Sequence, residues 1–506
     1  MAKRRKVLVS LYNKSGLEQL AEIFNTHQDE VYSTGGTAKA LRELGVEVKD
    51  VSALTQFPEV MDGRVKTLHP NIHMGLLARK DHEGDAQTLK EFGVSVFDIV
   101  VGNLYDFEAG IAKGLAFHEQ IELVDVGGPS FLRAAAKSFD RINVMCDPAD
   151  YELLKTETTL EQRKYLAAKV FKHTSYYDSQ IATWLSEDTD FFADQEWALG
   201  AHKVSELRYG ENPSQKASWY KTDIKGLHNA RVLQGKELSY NNILDLQSAI
   251  DALKEFEKPT VVSLKHTNPC GVSQSEDLTQ ALQESLAADP MSVFGGIIAL
   301  NQTVDKDQAE LLAGIFVECI VAPQFSDEAQ KVFAKKKNLR LLEWPEMMEF
   351  KKTRPMSRSV MGGLLVQTPD LVGVDEKTWV VHGETPSAVI LDSLKFAWRV
   401  CAHLKSNAIA VCSGTKTVGL GMGQVSRIDA MEQAFMRAKK FHPDARDLVL
   451  ASDAFFPFSD SIELAAQNNV KWIIQPGGSI KDAEVISKAR ELGVNMIFTG
   501  VRHFKH

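Results

Sequence analysis

A chain of 506 residues is too long for one hydrophobic core, so two or three domains are expected. Hydrophobic residues at 44% and charged residues at 25% are a globular balance, and a net charge of −9 gives no support to a general nucleic-acid surface. No apolar run approaches the roughly 20 residues that span a bilayer. The basic Lys3-Arg4-Arg5-Lys6 passes straight into a strand without a signal-peptide core, and the five cysteines are scattered and odd in number. A reduced, cytoplasmic setting is expected, with neither membrane nor nucleic acid as a partner.

Residues 6–10 predict a strand, 16–24 a helix and 31–33 a second strand. Ser33-Thr34-Gly35-Gly36-Thr37 then leads into a helix over 38–44. A strand, a Gly-rich turn and a helix start together make an anion site, because free N–H groups and the helix dipole point at the ligand. A Gly-Gly pair that only shapes the turn fits equally. A third strand is predicted over 46–48. The loop Gly63-Arg64-Val65-Lys66-Thr67-Leu68-His69-Pro70 is cationic and suits a phosphate or a developing oxyanion. Residues 97–101 form an apolar strand ending in Gly102-Asn103-Leu104-Tyr105. Val124-Asp125-Val126-Gly127-Gly128 is a turn before a helix over 131–138, which carries Arg133 and Lys137. Lys137 also reads as an ordinary surface lysine. A strand over 142–145 closes a parallel αβ unit, 151–185 is largely helical, and the acidic 186–196 ends the first domain.

The next block has polar turns over 207–213 and 234–242. The apolar run from Val261 ends in Lys265-His266, and a turn is expected at Asn268-Pro269-Cys270-Gly271. A fixed cation beside a group that titrates near neutrality would stand at the carboxyl end of a strand, where open α/β sheets place their chemistry. A strand end with two solvated side chains fits this stretch equally. Asp289 to Gly296 precedes a strand over 297–300, and Lys335-Lys336-Lys337 reads as a solvated face. A third block opens near Pro386, with a helix over 394–403 and a strand over 409–412. Its glycine run over 419–427 lacks the strand, G-x-G-x-x-G, helix order of a dinucleotide loop. Strands over 448–453, 472–475 and 496–499 follow, the first running into Phe455-Phe456-Pro457-Phe458. The last two blocks share element content without a residue-level repeat.

These strings together resemble the bifunctional purine biosynthesis proteins, which combine phosphoribosylaminoimidazolecarboxamide (AICAR) formyltransferase with IMP cyclohydrolase. The resemblance runs over essentially the whole length. It rests on Ser33 to Thr37, Gly63 to Pro70, Leu132 to Lys137, Leu207 to Pro213, Lys265 to Gly271, Ser452 to Phe458, Gln475 to Ser479 and Thr499 to His506. It implies an α/β fold: a methylglyoxal-synthase-like, Rossmann-type cyclohydrolase domain over 1–196, and a transformylase over 197–506. The latter would be two cytidine-deaminase-like subdomains without the deaminase zinc, split near 385. In the first domain the resemblance implies that Lys14, Thr34, Gly35, Gly36, Thr37, Arg64, Thr67 and Asn103 hold the nucleotide. Lys66, Tyr105, Asp125 and Lys137 would surround the ring-closing atoms. In the second it implies Lys265 and His266 as catalytic, and Arg208, Tyr209, Gly295, Asn407, Phe455 and Arg502 on AICAR. Arg427, Asp460, Ser479 and Ile480 would line the folate side. The co-substrate would be 10-formyltetrahydrofolate, with formylated AICAR (FAICAR) as the intermediate, no catalytic metal, and transformylase sites formed across a homodimer interface.

The chemistry fits the residues independently. The aromatic amine that attacks the formyl carbon is a weak nucleophile and needs a base, a role that suits His266, while Lys265 could stabilise the tetrahedral oxyanion. Ring closure needs a cation and a carboxylate around the new formyl group. The chain departs from the family at Leu11-Tyr12-Asn13, usually Val-Ser-Asp, and at Asp106, usually Pro; Asp106 is expected to loosen its turn. It departs again at Ser214, where the family has His. Both activities are expected to survive. A zinc deaminase is the first alternative, but His382-Gly383-Glu384 has no C-x-x-C to follow it. A nucleotide-binding regulator, or an enzyme with one working activity, are the others.

Overall fold

The computed structural model describes residues 4–58, 60–61, 64–187, 189–351 and 355–506; Lys3 and Gly63, singled out above, lie outside them. The chain forms two compact units, Met1–His202 with Tyr220–Ile224, and Lys203–Trp219 with Lys225–His506.

The first unit holds an all-parallel sheet in the order Val48–Asp50, Glu30–Ser33, Lys6–Ser10, Ile99–Gly102, Asn143–Met145. Val7 and Val9 pack into one core with Phe24 and Tyr151, and Leu8 into another with Phe131 and Tyr177. Both faces of the central strand are therefore covered, which is why it reads as an unbroken apolar run. The chain order reverses between Lys6–Ser10 and Ile99–Gly102, and a crevice opens at the carboxyl ends of such strands. Two helices start earlier than their apolar pattern. They run Gly35–Glu43 and Gly127–Lys137, so the glycines expected to form separate turns are helical first turns.

The second unit is built on one twelve-stranded mixed sheet. Hairpin, helix, strand, helix, strand, helix, strand occurs twice. The first copy starts at the hairpin Thr260–Lys265 with Asn268–Gln274 and ends at Arg340–Glu343. The second starts at Ile409–Ser413 with Lys416–Gly421 and ends at Asn495–Phe498. A residue-level trace of the repeat is steric. A Cβ on Gly271 would strike the carbonyl of Ser285, and one on Gly419 that of Ala434, each on the helix after its hairpin. The glycine run over 419–427 thus opens in the end of the strand Lys416–Gly421, which admits a close helix. Asn268–Gln274 pairs antiparallel with Lys416–Gly421, so the two halves share a single sheet. That pairing turns the tip of the first hairpin to the edge where Leu448–Ser452, Trp472–Gln475 and Asn495–Phe498 end.

One turn is misplaced in the sequence reading. Lys265 pairs with Asn268, so the turn is the two residues His266-Thr267, and Asn268–Gln274 is a strand. Both turn residues have positive φ, 53° and 61°, as a two-residue hairpin of this hand requires. Likewise the polar stretch over 234–242 already contains a helix start: Ser239 and Asn242 cap Tyr240–Leu253.

Candidate active sites

In the first unit, helix Gly35–Glu43 begins at the sheet's carboxyl edge. Thr34 precedes it in extended conformation and gives it no side-chain cap, so its first-turn amides face a ligand position. A Cβ on Gly35 would lie 3.7 Å from Lys66 Nζ, and one on Gly36 would lie 3.9 Å from Lys14 Nζ. Two ammonium groups thus close on one helix N-terminus. Thr34, Lys66 and His69 line the same small cavity. Across the site, a Cβ on Gly127 would lie 2.9 Å from the Thr67 hydroxyl and 3.9 Å from Asp125 Oδ1. Asp125 accepts from the Gly128 amide at 3.0 Å. Its own amide donates to the Tyr177 hydroxyl at 2.7 Å, which donates in turn to the Leu123 carbonyl at 2.6 Å. Burial pushes the Asp125 carboxyl up, against the downward pull of the Gly128 and Gly127 amides and of Lys66. Burial, then Asp125, then Tyr12 push the Tyr105 phenol up, and its ring lies 4.9 Å from that of Tyr12. The arrangement can hold an anionic ligand and move a proton beside a cation.

In the second unit, Lys265 Nζ donates to the Phe294 carbonyl at 2.6 Å, and a Cβ on Gly295 would lie 3.9 Å from it. An ammonium carries three donors, so this bond leaves capacity for an oxyanion. His266 is exposed at the hairpin tip. A cavity of about 170 Å³ adjoins the tip; Lys265, His266, Asn268, Asp289, Ser292 and Arg437 are among its lining residues. Buried Asp289 accepts from the Ser292 amide at 3.0 Å and hydroxyl at 2.7 Å, and pairs with Arg437. Lys405 N–H donates to Asn268 Oδ1 at 3.0 Å, which ties the tip to the segment before Asn407. Among the described residues, no three His, Cys, Asp or Glu converge to hold a metal ion.

An AICARFT/IMPCHase bienzyme family model matches residues 135–437, and an MGS-like domain model matches residues 16–130. The bifunctional purine biosynthesis protein PurH of Thermoanaerobacter sp. is 47% identical over 99% of this chain and 100% of its own length. Those of Caldicellulosiruptor saccharolyticus and Aquifex aeolicus are 45% and 43% identical over the same shares. The chain belongs to the AICARFT/IMPCHase bienzyme family. It is a bifunctional enzyme of purine biosynthesis, an AICAR formyltransferase and an IMP cyclohydrolase, acting in the last two steps to IMP with a folate-type co-substrate.

Several residues expected at the bienzyme's sites already hold partners within the chain. Thr37 is buried, and its hydroxyl both accepts from and donates to the backbone of Leu11, at 3.0 and 2.9 Å. Asn103 Oδ1 accepts from the Tyr12 and Asn13 amides at 2.7 and 3.0 Å, and its Nδ2 donates to Asn13 O at 2.8 Å. Arg64 pairs with Glu122. Lys137 is exposed at the last turn of its helix, about 15 Å along the axis from Gly127 at 1.5 Å per residue. Asp106 does not loosen its turn. It caps helix Phe107–Ile111 by accepting from the Ala109 amide at 3.0 Å.

In the second unit, Arg208 stacks on Tyr209, 4.6 Å from the ring centroid, and bonds its hydroxyl at 2.7 Å. In the loop holding Ser214, Gln215 supplies the bonds, accepting from the Asn212 amide at 2.8 Å. Arg427 is buried. It pairs with the fully buried Asp453 and donates to Ser452 and Asn407, each at 2.8 Å. Asn407 also donates to Gln424 O at 2.9 Å. Phe455, Asp460, Ser479, Ile480 and Arg502 lie in loops or at a helix start after the second-half strands, on the edge that carries the His266 tip. Ile480 is fully exposed, and Arg502 lies over Phe504 at 4.6 Å. Sequence reasoning missed Arg437: its partner Asp289 is 148 residues away, and no local pattern marks it.

Proposed function

We propose that residues 1–196 carry the cyclohydrolase and residues 197–506 the transformylase, the latter divided near 385, and that the formyl donor is 10-formyltetrahydrofolate. In the transformylase His266 takes the proton of the AICAR amine as it adds to the formyl carbon, and Lys265 stabilises the oxyanion. In the cyclohydrolase the FAICAR phosphate sits at the Gly35-Gly36 helix start with Lys14, Thr34 and Thr37, and Lys66, Tyr105, Asp125 and Lys137 serve ring closure. Arg64, Thr67 and Asn103 complete that nucleotide site. Arg208, Tyr209, Gly295, Asn407, Phe455 and Arg502 serve AICAR; Asp460, Ser479 and Ile480 serve the folate, and Arg427 supports that side from beneath through Ser452, Asp453 and Asn407.

The observation that carries the reading is the position of the Lys265-His266 tip on the sheet edge where the second-half strands end. That edge supplies exposed apolar surface at Phe455, Phe458 and Ile480 for a flat heterocycle. Homodimer formation is supported by the hairpin Met356–Val360 with Gly363–Gln367, which exposes Met361, Leu364 and Leu365. A cytoplasmic setting is supported by five free cysteines. The test is separation of function. Asp125→Asn should abolish conversion of FAICAR to IMP while AICAR is still formylated. Loss of both reactions, or of neither, would overturn the division of labour.

A further inference from the structure

The hairpin that presents His266 has no glycine in its two-residue turn. His266 and Thr267 both adopt the left-handed region, at φ 53° and 61°, where a Cβ is disfavoured and a β-branched residue is an outlier. Something else must hold the turn. On helix Tyr240–Leu253, the Asp245 carboxylate accepts from the Thr267 amide at 2.7 Å. The helix is a firm platform: Leu246, Ala249 and Ile250 are buried in the core that also holds Val262 and Leu264 of the hairpin's first strand. Smaller bonds finish the turn, from Thr267 Oγ1 and Asn268 Nδ2 to the His266 carbonyl at 2.7 and 3.1 Å.

We infer that Asp245 is a positioning residue for formyl transfer: its carboxylate, by gripping the amide between His266 and Thr267, holds both residues in the left-handed conformation that aims the His266 ring at the substrate. This rests on the reading of His266 as the base. The side chain touches no reacting atom. It acts through the backbone of the residue that does. A displaced general base loses rate because proton transfer needs hydrogen-bond reach, and a shift of about 1 Å can cost on the order of 100-fold.

The experiment is a kinetic comparison of full-length Asp245→Ala, Thr267→Gly and the double variant. Fold is followed by circular dichroism and urea midpoint. Asp245→Ala is expected to lower kcat for formyl transfer on the order of 100-fold with little change in KM for AICAR. Thr267→Gly in that background should restore most of kcat, since glycine enters the left-handed region without the Cβ penalty. If Asp245→Ala fails to fold, Asp245→Asn, which keeps one of two acceptor oxygens, takes its place with the same glycine rescue expected. A kcat for Asp245→Ala within about twofold of the parent would overturn the inference, an effect far below that estimate. So would a deficit that glycine does not rescue in a folded protein. His266→Ala separates the two levels. If it is inactive while Asp245→Ala is active, only the inference falls; if it is active, the reading of the base falls first.

Discussion

Arg427→Met tests the placement of Arg427 beneath the surface rather than on a ligand. The parent guanidinium makes three side-chain bonds, to Ser452, Asp453 and Asn407, and Asp453 is wholly buried. Methionine leaves the Asp453 carboxylate with the Ser406 hydroxyl, 2.6 Å away, as its remaining side-chain donor. Removing one partner of a buried pair strands the other charge, at about 3–5 kcal/mol. At 1.4 kcal/mol per factor of ten, that is about 100- to 4000-fold in the folding equilibrium. The assay is urea unfolding followed by tryptophan fluorescence. Five of the seven tryptophans, Trp219, Trp344, Trp379, Trp398 and Trp472, belong to the second unit. That transition should move to lower urea, and the urea dependence of cyclisation, the activity proposed for the first unit, should hardly move. A stability loss under about 1 kcal/mol, far below the buried-pair range, together with a raised KM for the folate, would refute the burial argument. Arg427 would then be a ligand contact.

Two further outcomes concern the first unit. Burial lowers the pKa of His173, against an upward pull from Asp147 and with a further downward push from His202. Its Nε2 accepts from the Leu104 amide, beside Tyr105, at 3.3 Å. A depressed imidazole stabilises the fold above the ordinary range near 6.5, and that stability is lost as pH falls through the lower folded value. Cyclisation should therefore fall on the acid side, and His173→Gln should flatten that limb; an unchanged limb would remove His173 from the account. Gly35→Ala forces a Cβ into φ +49° at about 1–2 kcal/mol. The KM for FAICAR should rise about 5- to 30-fold, with AICAR formylation intact.

How much was legible follows the range of the interactions. Lys6–Ser10, Ile297–Leu300 and Trp472–Gln475 are readable because a buried strand is an apolar run bounded by turn residues. The helix starts at Gly35 and Gly127 were read late because a first turn that faces a ligand position has no apolar residue to report it. The turn at His266-Thr267 was displaced because Asn-Pro-Cys-Gly is a stronger local turn signal than His-Thr. The deciding contact comes from Asp245, 22 residues away. The duplication in the second unit left no sequence repeat because it is kept as strand order and as glycines against helices, not as identities. The burial of Arg427 was invisible for the same reason: Asp453 is 26 residues away.

In the proposed division of labour, one chain formylates AICAR through His266 and closes the ring at a separate site. Its most direct test supplies purified His266→Ala with AICAR and 10-formyltetrahydrofolate, and separately with FAICAR, and separates the nucleotides by chromatography. Formyl transfer should fall about 100-fold or more, as for loss of a general base, and IMP should form from FAICAR at the parent rate. Formyl transfer at the parent rate would contradict it.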